Sequence, residues 1–294
     1  MKNSHCLLLL IFWFQAGCKS TPAQAIPTPV LEDTRLNETS GLAASVANPG
    51  LYYVHNDSGD TSRFFAISPD GHLKGMFYFN GEPGLSPFGV RDCEDIAVGP
   101  GPQPGASYVY VGDIGDNNAQ RPLITIYRIK EPAVSSGGQP AHVEAEPLYL
   151  KYPDGPRDAE TLMVDSIGKL LYIISKREDT VHVYTTPLNF KTNDTLELKK
   201  QAQVFFDGSG QFKWITAGDI SRDGQEVLLK SYTQVYYWRR SAGEAIWQTL
   251  LRKPQLLPYT VEPQGEAIGF TTDGKGYYTV SEGVHALVYY YKLP

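Results

Sequence analysis

The chain has 294 residues, 41% of them apolar, with 19 tyrosines, 28 glycines and 21 prolines, a composition that suits one large all-β domain. Its formal charge of −6 has the wrong sign for phosphate-backbone binding, and no basic run exceeds the pairs Lys199-Lys200 and Arg239-Arg240, so a nucleic-acid partner is not expected. Cys6, Cys18 and Cys93 are too few for a disulfide framework, and the carboxylates beside Cys93 make it a poor nucleophile.

The first elements concern export. Met1-Lys2, an apolar run from Leu7 to Phe14 and then Gln15-Ala16-Gly17-Cys18 describe a signal over residues 1–17, since the run is too short to span a bilayer. Small-small-Cys resembles the bacterial lipobox and predicts cleavage before Cys18 with lipid on that cysteine. Gln15 stands where that motif has Leu, which leaves ordinary cleavage after Ala23 or Ala25 open. Residues 18–29, rich in Ser, Thr, Pro, Ala and Gln, read as a flexible tether. Either cleavage makes an exported protein, periplasmic or anchored at the outer membrane, that meets the membrane only through its lipid.

From residue 30 onward, one unit recurs. Glu38-Thr-Ser-Gly-Leu, Glu94-Asp-Ile-Ala-Val, Glu160-Thr-Leu-Met-Val, Gly218-Asp-Ile-Ser and Glu266-Ala-Ile-Gly-Phe each set a polar residue ahead of a short apolar strand. With Leu42, Ile96, Leu162, Ile220 and Ile268 as anchors the spacing averages roughly 56 residues, the length of a four-stranded β-propeller blade with its loops.

The first blade is expected to use strands over 40–44, 51–55, 63–67 and 73–79, and the second strands over 95–98, 108–111, 123–129 and 146–152. The third is expected at 161–164, 170–175, 181–185 and 203–206, and the fourth at 219–221, 227–230, 235–239 and 246–251. The fifth has strands at 267–270, 277–280 and 287–292 and lacks an outer one, which Pro29 to Leu36 would supply, joining the chain ends. Five blades are expected, or six if Phe79 to Asp92 or Lys130 to Pro156 hides further strands.

Innermost strands line a propeller's channel, so the recurring position forms a ring at one mouth. The anchors put Ser40, Glu94, Glu160, Asp219 beside Gly218, and Glu266 on that ring, with Glu38 and Asp95 close by. Converging carboxylates repel and need a cation, protonation or inserted Lys and Arg. Oxygen-only ligands without histidine suit a hard cation such as calcium rather than zinc. The ends of the second strands, with Asn56, Asp57, Asp113, Lys176, Arg177, Lys230 and Glu282, are expected to open on the same mouth. There the cations would either hold a substrate phosphate or carboxylate or simply neutralise the acids. His55 is the one histidine placed as a candidate general base, whereas Asp70, Asp223 and Asp273 read as turn residues of far-side Asp-Gly hairpins.

Glu38-Thr-Ser-Gly-Leu-Ala, His55-Asn-Asp-Ser-Gly-Asp60, Arg63-Phe-Phe-Ala-Ile, Cys93-Glu-Asp-Ile-Ala, Gly112-Asp-Ile-Gly-Asp-Asn, Asp158-Ala-Glu-Thr-Leu and Gln264-Gly-Glu-Ala-Ile together resemble exported bacterial propellers of the phytase-like group. The layout is also similar to five-bladed calcium-activated nucleotidases. The resemblance implies calcium near Ser40, Glu94, Glu160 and Glu266, with blade four departing through Gly218.

Two functional classes stay open. In the first, a calcium-dependent hydrolase acts on an anionic, phosphorylated or ester-bearing small molecule, with Lys176 and Lys230 stabilising charge and Glu94 or Glu160 orienting or deprotonating water. In the second, calcium is structural and the loops bind an envelope partner. A monomer is expected in both.

Overall fold

A computed structural model describes residues 26–85, 87–135 and 138–294. The expected signal, Cys18 as the expected site of lipid and most of the expected tether lie outside the described residues. Strand β1 (Ile26–Val30) comes first and pairs antiparallel with the last strand of the chain. The outer strand expected from Pro29 to Leu36 therefore lies further upstream.

Blade one is built from β2 (Thr39–Ala44), β3 (Tyr52–Asn56), β4 (Arg63–Ile67) and β5 (Leu73–Phe79). Blade two takes β6 (Cys93–Pro100), β7 (Ser107–Asp113) and β8 (Ile124–Lys130), then, after β9 (Pro140–Val143), β10 (Ala145–Lys151). Blade three takes β11 (Ala159–Asp165), β12 (Leu170–Ser175), β13 (Thr180–Pro187) and, after β14 (Thr195–Glu197), β15 (Lys199–Phe205). Blade four comprises β16 (Ile215–Ile220), β17 (Glu226–Ser231) and β18 (Val235–Arg239), followed by the short helix α1 (Ile246–Thr249) and β19 (Gln255–Leu257). Blade five comprises β20 (Gly265–Phe270), β21 (Gly276–Ser281) and β22 (Leu287–Lys292), with β1 outermost. The fold is a five-bladed β-propeller.

Two expectations are corrected. The segment 246–251, read as a strand, is helix α1, and the fourth strand of the blade comes after it. The stretch from Lys130 to Pro156 does hide a strand, but β9 runs parallel to β5 as a fifth strand of blade one and builds no sixth blade. In the same way β14 adds to blade two beside β10. Both additions cover a sheet edge.

Turn chemistry explains the repeated hairpins. Ser221 and Thr271 donate their hydroxyls to Asp223 (2.6 Å) and Asp273 (2.7 Å), and Ser68 does the same to Asp70. The glycines that follow, Gly71, Gly224 and Gly274, hold positive φ, which only the absence of Cβ makes cheap.

Alternating strand residues then fill the seams between blades. Tyr110, Ile126 and Leu148 of blade two meet Leu162, Leu171 and Ile173 of blade three, and an apolar cluster of this kind occupies each of the five seams. The inner strands β2, β6, β11, β16 and β20 touch in that order around the ring, and β20 returns to β2. Their first residues face one mouth of the channel and their last residues the other.

Candidate functional site

Each inner strand carries one irregularity, and it falls at the same place in every blade. Pairing with the second strand shifts between Ser40 and Leu42, Cys93 and Asp95, Ala159 and Thr161, Ile215 and Ala217, and Gly265 and Ala267. A β-bulge leaves one residue out of the ladder and re-aims its side chain. The five bulged residues are Gly41, Glu94, Glu160, Thr216 and Glu266.

The expected ring is thereby corrected at two members. Ser40 precedes the bulge, and its Oγ donates to the Glu94 carbonyl (2.5 Å), so it braces the next blade instead of facing an ion. Asp219 lies three residues beyond the true bulge residue, Thr216, and lines the opposite mouth, where its Oδ2 accepts from the Phe270 amide (2.8 Å). Thr216 donates to the Gly265 carbonyl (3.2 Å). Gly41 has φ +81°, and a Cβ there would come within 2.7 Å of the Ile96 nitrogen.

Around Glu94, Glu160 and Glu266 the mouth opens into a cavity of about 430 Å³. Carboxylates converge on it in three groups whose oxygens lie within 4.8 Å: Asp57 with Asp92 and Glu94, Asp57 with Glu266 and Glu282, and Glu94 with Asp158 and Glu160. Gly115 makes room for the first group, since a Cβ there would stand 2.1 Å from Glu94 Oε1 and 2.5 Å from Asp92 Oδ2. Glu94 Oε2 and Glu160 Oε2 are buried with no hydrogen-bond partner among the described residues.

Among the described residues, Lys176 brings an ammonium between the bulged glutamates. The buried Lys176 ammonium contacts Glu160 Oε1, lies 3.5 Å from Glu266 Oε1 and sits 5.5 Å from the centre of the Tyr232 ring. Tyr232 donates its hydroxyl to Glu266. Tyr232, not Lys230, follows β17 in the register at which Lys176 follows β12. Lys230 is two residues earlier and fully buried between blades four and five. There it donates to the Gly265 carbonyl, 3.6 Å from Glu262 and 4.7 Å from the centre of the Tyr259 ring. Its expected role at the mouth is corrected accordingly.

The other expected loop residues divide. Asp57 and Glu282 belong to the acidic groups, and Arg177 lines the cavity, bonded to Asp158 and Asn117 with its guanidinium 4.7 Å from the Trp214 ring centre. Asp113 instead accepts the amides of Arg91 (3.0 Å) and Asp92 (3.2 Å) and pairs with Arg121 (2.8 Å), which shapes the loop that carries Asp92. Asn56 bridges the Arg35 carbonyl (2.6 Å) and Asp60 (2.8 Å). His55 is fully buried beneath Gly41, with Nδ1 on the Asn56 carbonyl (2.8 Å), and burial lowers its pKa to about 4. It is no general base at the surface. Asp92, Asp158, Tyr232 and Trp214 were not foreseen, although the repeat Arg91-Asp-Cys-Glu94 and Arg157-Asp-Ala-Glu160 marks both acids.

The electrostatics follow from this crowding. Burial first, and then Glu160 and Asp57, push Glu94 well above the ordinary carboxylate range. Glu160 rises too, because burial and Glu266 outweigh the opposing pull of Lys176. Burial opposes the Lys176 charge, but Glu160 and Glu266 overcome it and hold the ammonium protonated. Burial and then Asp92 raise Asp57 to about 8; burial and then Glu266 raise Glu282 to about 10. The mouth must therefore keep protons or take up a cation at neutral pH.

Comparison with protein-family models and with curated proteins finds no match to this chain.

Proposed function

We propose that the acidic mouth binds a divalent cation of the calcium type. On this reading the chain is an exported, lipid-anchored hydrolase of a phosphoester or another anionic ester. The observation that carries the reading is the pair of buried, unpartnered oxygens, Glu94 Oε2 and Glu160 Oε2, inside converging carboxylate groups. Every donor in those groups is a carboxylate oxygen, the chemistry a hard cation prefers. Asp57, Asp92 and Glu94, with Asp158 and Glu160 adjoining, would hold the ion.

A bound calcium ion would supply Lewis-acid polarisation of a phosphoryl or ester oxygen. The chain's own residues supply the rest. Arg177, backed by Trp214, offers a planar donor to an incoming anion. Lys176 keeps a fixed positive charge beside Glu160, and Glu160 or Glu94 orients or deprotonates water. Phe212 and Val261 on the rim cover part of the cavity against solvent.

A second reading, a binding module with structural calcium, is favoured by the ion pairing of Lys176, which keeps its ammonium from an incoming anion. Turnover on a panel of phosphoesters, nucleotides and lactones separates the two. Activity that needs calcium and disappears in Glu160→Gln, with melting unchanged, supports the hydrolase. Calcium-dependent melting with no turnover supports the binding module, and indifference to calcium on both measures overturns both.

A further inference from the structure

The opposite mouth of the channel holds a second cavity of about 430 Å³, lined by residues from all five blades. Its volume lies in the range of roughly 300 to 1,000 Å³ typical of small-molecule sites. The walls mix polar and apolar groups, and Ala43, Val98, Val164, Ile220 and Phe270 contribute one apolar residue from each blade in turn.

Among the described residues that line this cavity, three carry charge, and they are separated by depth. Asp219 lies within inner strand β16, partly buried, so its carboxylate is set into the wall. Lys169 and Arg222 lie on the hairpin turns of blades three and four and are exposed at the rim. Lys169 also keeps a left-handed backbone (φ 56°), a conformation that favours glycine or asparagine, so a lysine there costs stability. The hydroxyls of Ser45, Ser221 and Thr271 are already given to Glu131, Asp223 and Asp273. Ser107, Ser166 and Thr272 add polar lining, and the three charged groups set the electrostatic pattern a ligand meets.

The geometry points to a second ligand site for a small zwitterion, an amino acid or short peptide whose ammonium enters first to meet Asp219. Its apolar middle would lie against Val98, Val164 and Phe270, and its carboxylate would remain at the rim with Lys169 and Arg222. The Phe270 amide occupies one lone pair of the Asp219 carboxylate, and an ionised carboxylate has further acceptor sites. Burial raises Asp219 to about 7 against the amides of Phe270 and Ile220, a carboxyl that an arriving ammonium would ionise. A simple cation would meet the basic rim first, and a simple anion would meet Asp219 inside. Only a ligand with both charges answers both ends.

The test is calorimetric titration of the full chain with 6-aminohexanoate. Hexylamine and hexanoate serve as single-charge comparators. Saturable binding of 6-aminohexanoate, roughly tenfold tighter than either comparator, is expected. Asp219→Asn, which keeps an acceptor for the Phe270 amide, and separately Lys169→Glu with Arg222→Glu on the exposed rim, should each weaken it roughly tenfold. Glu160→Gln should leave it unchanged, so failure at the other mouth is read separately. No saturation by about 10 mM, equal binding of a comparator, or indifference to both the Asp219 and the rim variants would overturn the proposal.

Discussion

The ammonium of Lys176 lies against Glu160 of its own blade and 3.5 Å from Glu266 of blade five, so one side chain ties two bulged carboxylates across the channel. Lys176→Met leaves both acids buried without it. The expected loss is about 3–5 kcal/mol of stability in cation-free buffer, read by urea denaturation, together with tighter calcium binding as a competing charge is removed. Lys230→Met, which breaks a buried pair with Glu262 at the cavity wall, should also lower stability while changing calcium affinity less than Lys176→Met does. Equal calcium affinity in wild type and Lys176→Met would show that the ammonium and the ion do not share these carboxylates.

Stability in cation-free buffer should fall as pH rises from about 5 to about 8. Asp57, with its pKa raised from 3.8 to about 8, keeps its proton when folded and loses it when unfolded across this window, so the unfolded state binds fewer protons there. Glu282, raised from 4.5 to about 10, extends the window upward. Calcium should flatten the slope, since binding requires the ionised carboxylates, and its affinity should grow with pH as protons are released. Melting temperature against pH, with and without calcium, checks both signs. A cation-free curve that rises through this range would contradict the crowding inferred for the mouth.

Gly115→Ala should damage the site more than the fold. A methyl group there meets Glu94 Oε1 and Asp92 Oδ2, the ends of side chains that can turn aside only by leaving the carboxylate group. Calcium affinity is expected to drop roughly tenfold while melting shifts by a few degrees, about the scale of 1 kcal/mol. A variant that binds calcium as the parent does would place the ion elsewhere.

Asp113→Asn should act at a distance. Asp113 holds the Arg91 and Asp92 amides and pairs with Arg121, so the loop that presents Asp92 depends on it. Weaker calcium binding is expected, with partial recovery at high calcium. Unaltered binding would mean that Asp92 needs no such support.

Much of the fold was legible because propeller hairpins announce themselves through Asp-Gly turns and alternating strands. The strands around Leu73–Phe79 and Val235–Arg239 stand at the residues where those patterns put them. Helix α1 was misread because four residues, Ile246-Trp-Gln-Thr, are too few to show a period. Strand β9 owes its place to a parallel pairing with a segment more than sixty residues away, which no local pattern encodes. In the site, Glu94, Glu160 and Glu266 were found from their spacing. Blade four misled because Gly218-Asp219-Ile220 imitates the acid-before-strand pattern of the other blades, while the bulge that fixes the equivalent position falls at Thr216. A bulge adds one residue without changing composition, so sequence spacing alone cannot locate it.

Calcium titrated calorimetrically into the chelator-stripped full chain tests the acidic mouth most directly. A single saturable event with a dissociation constant below about 1 mM is expected, with proton release, and it should be absent in Glu94→Gln. No heat up to about 10 mM calcium, or the same heat in Glu94→Gln, would contradict a cation site at these carboxylates.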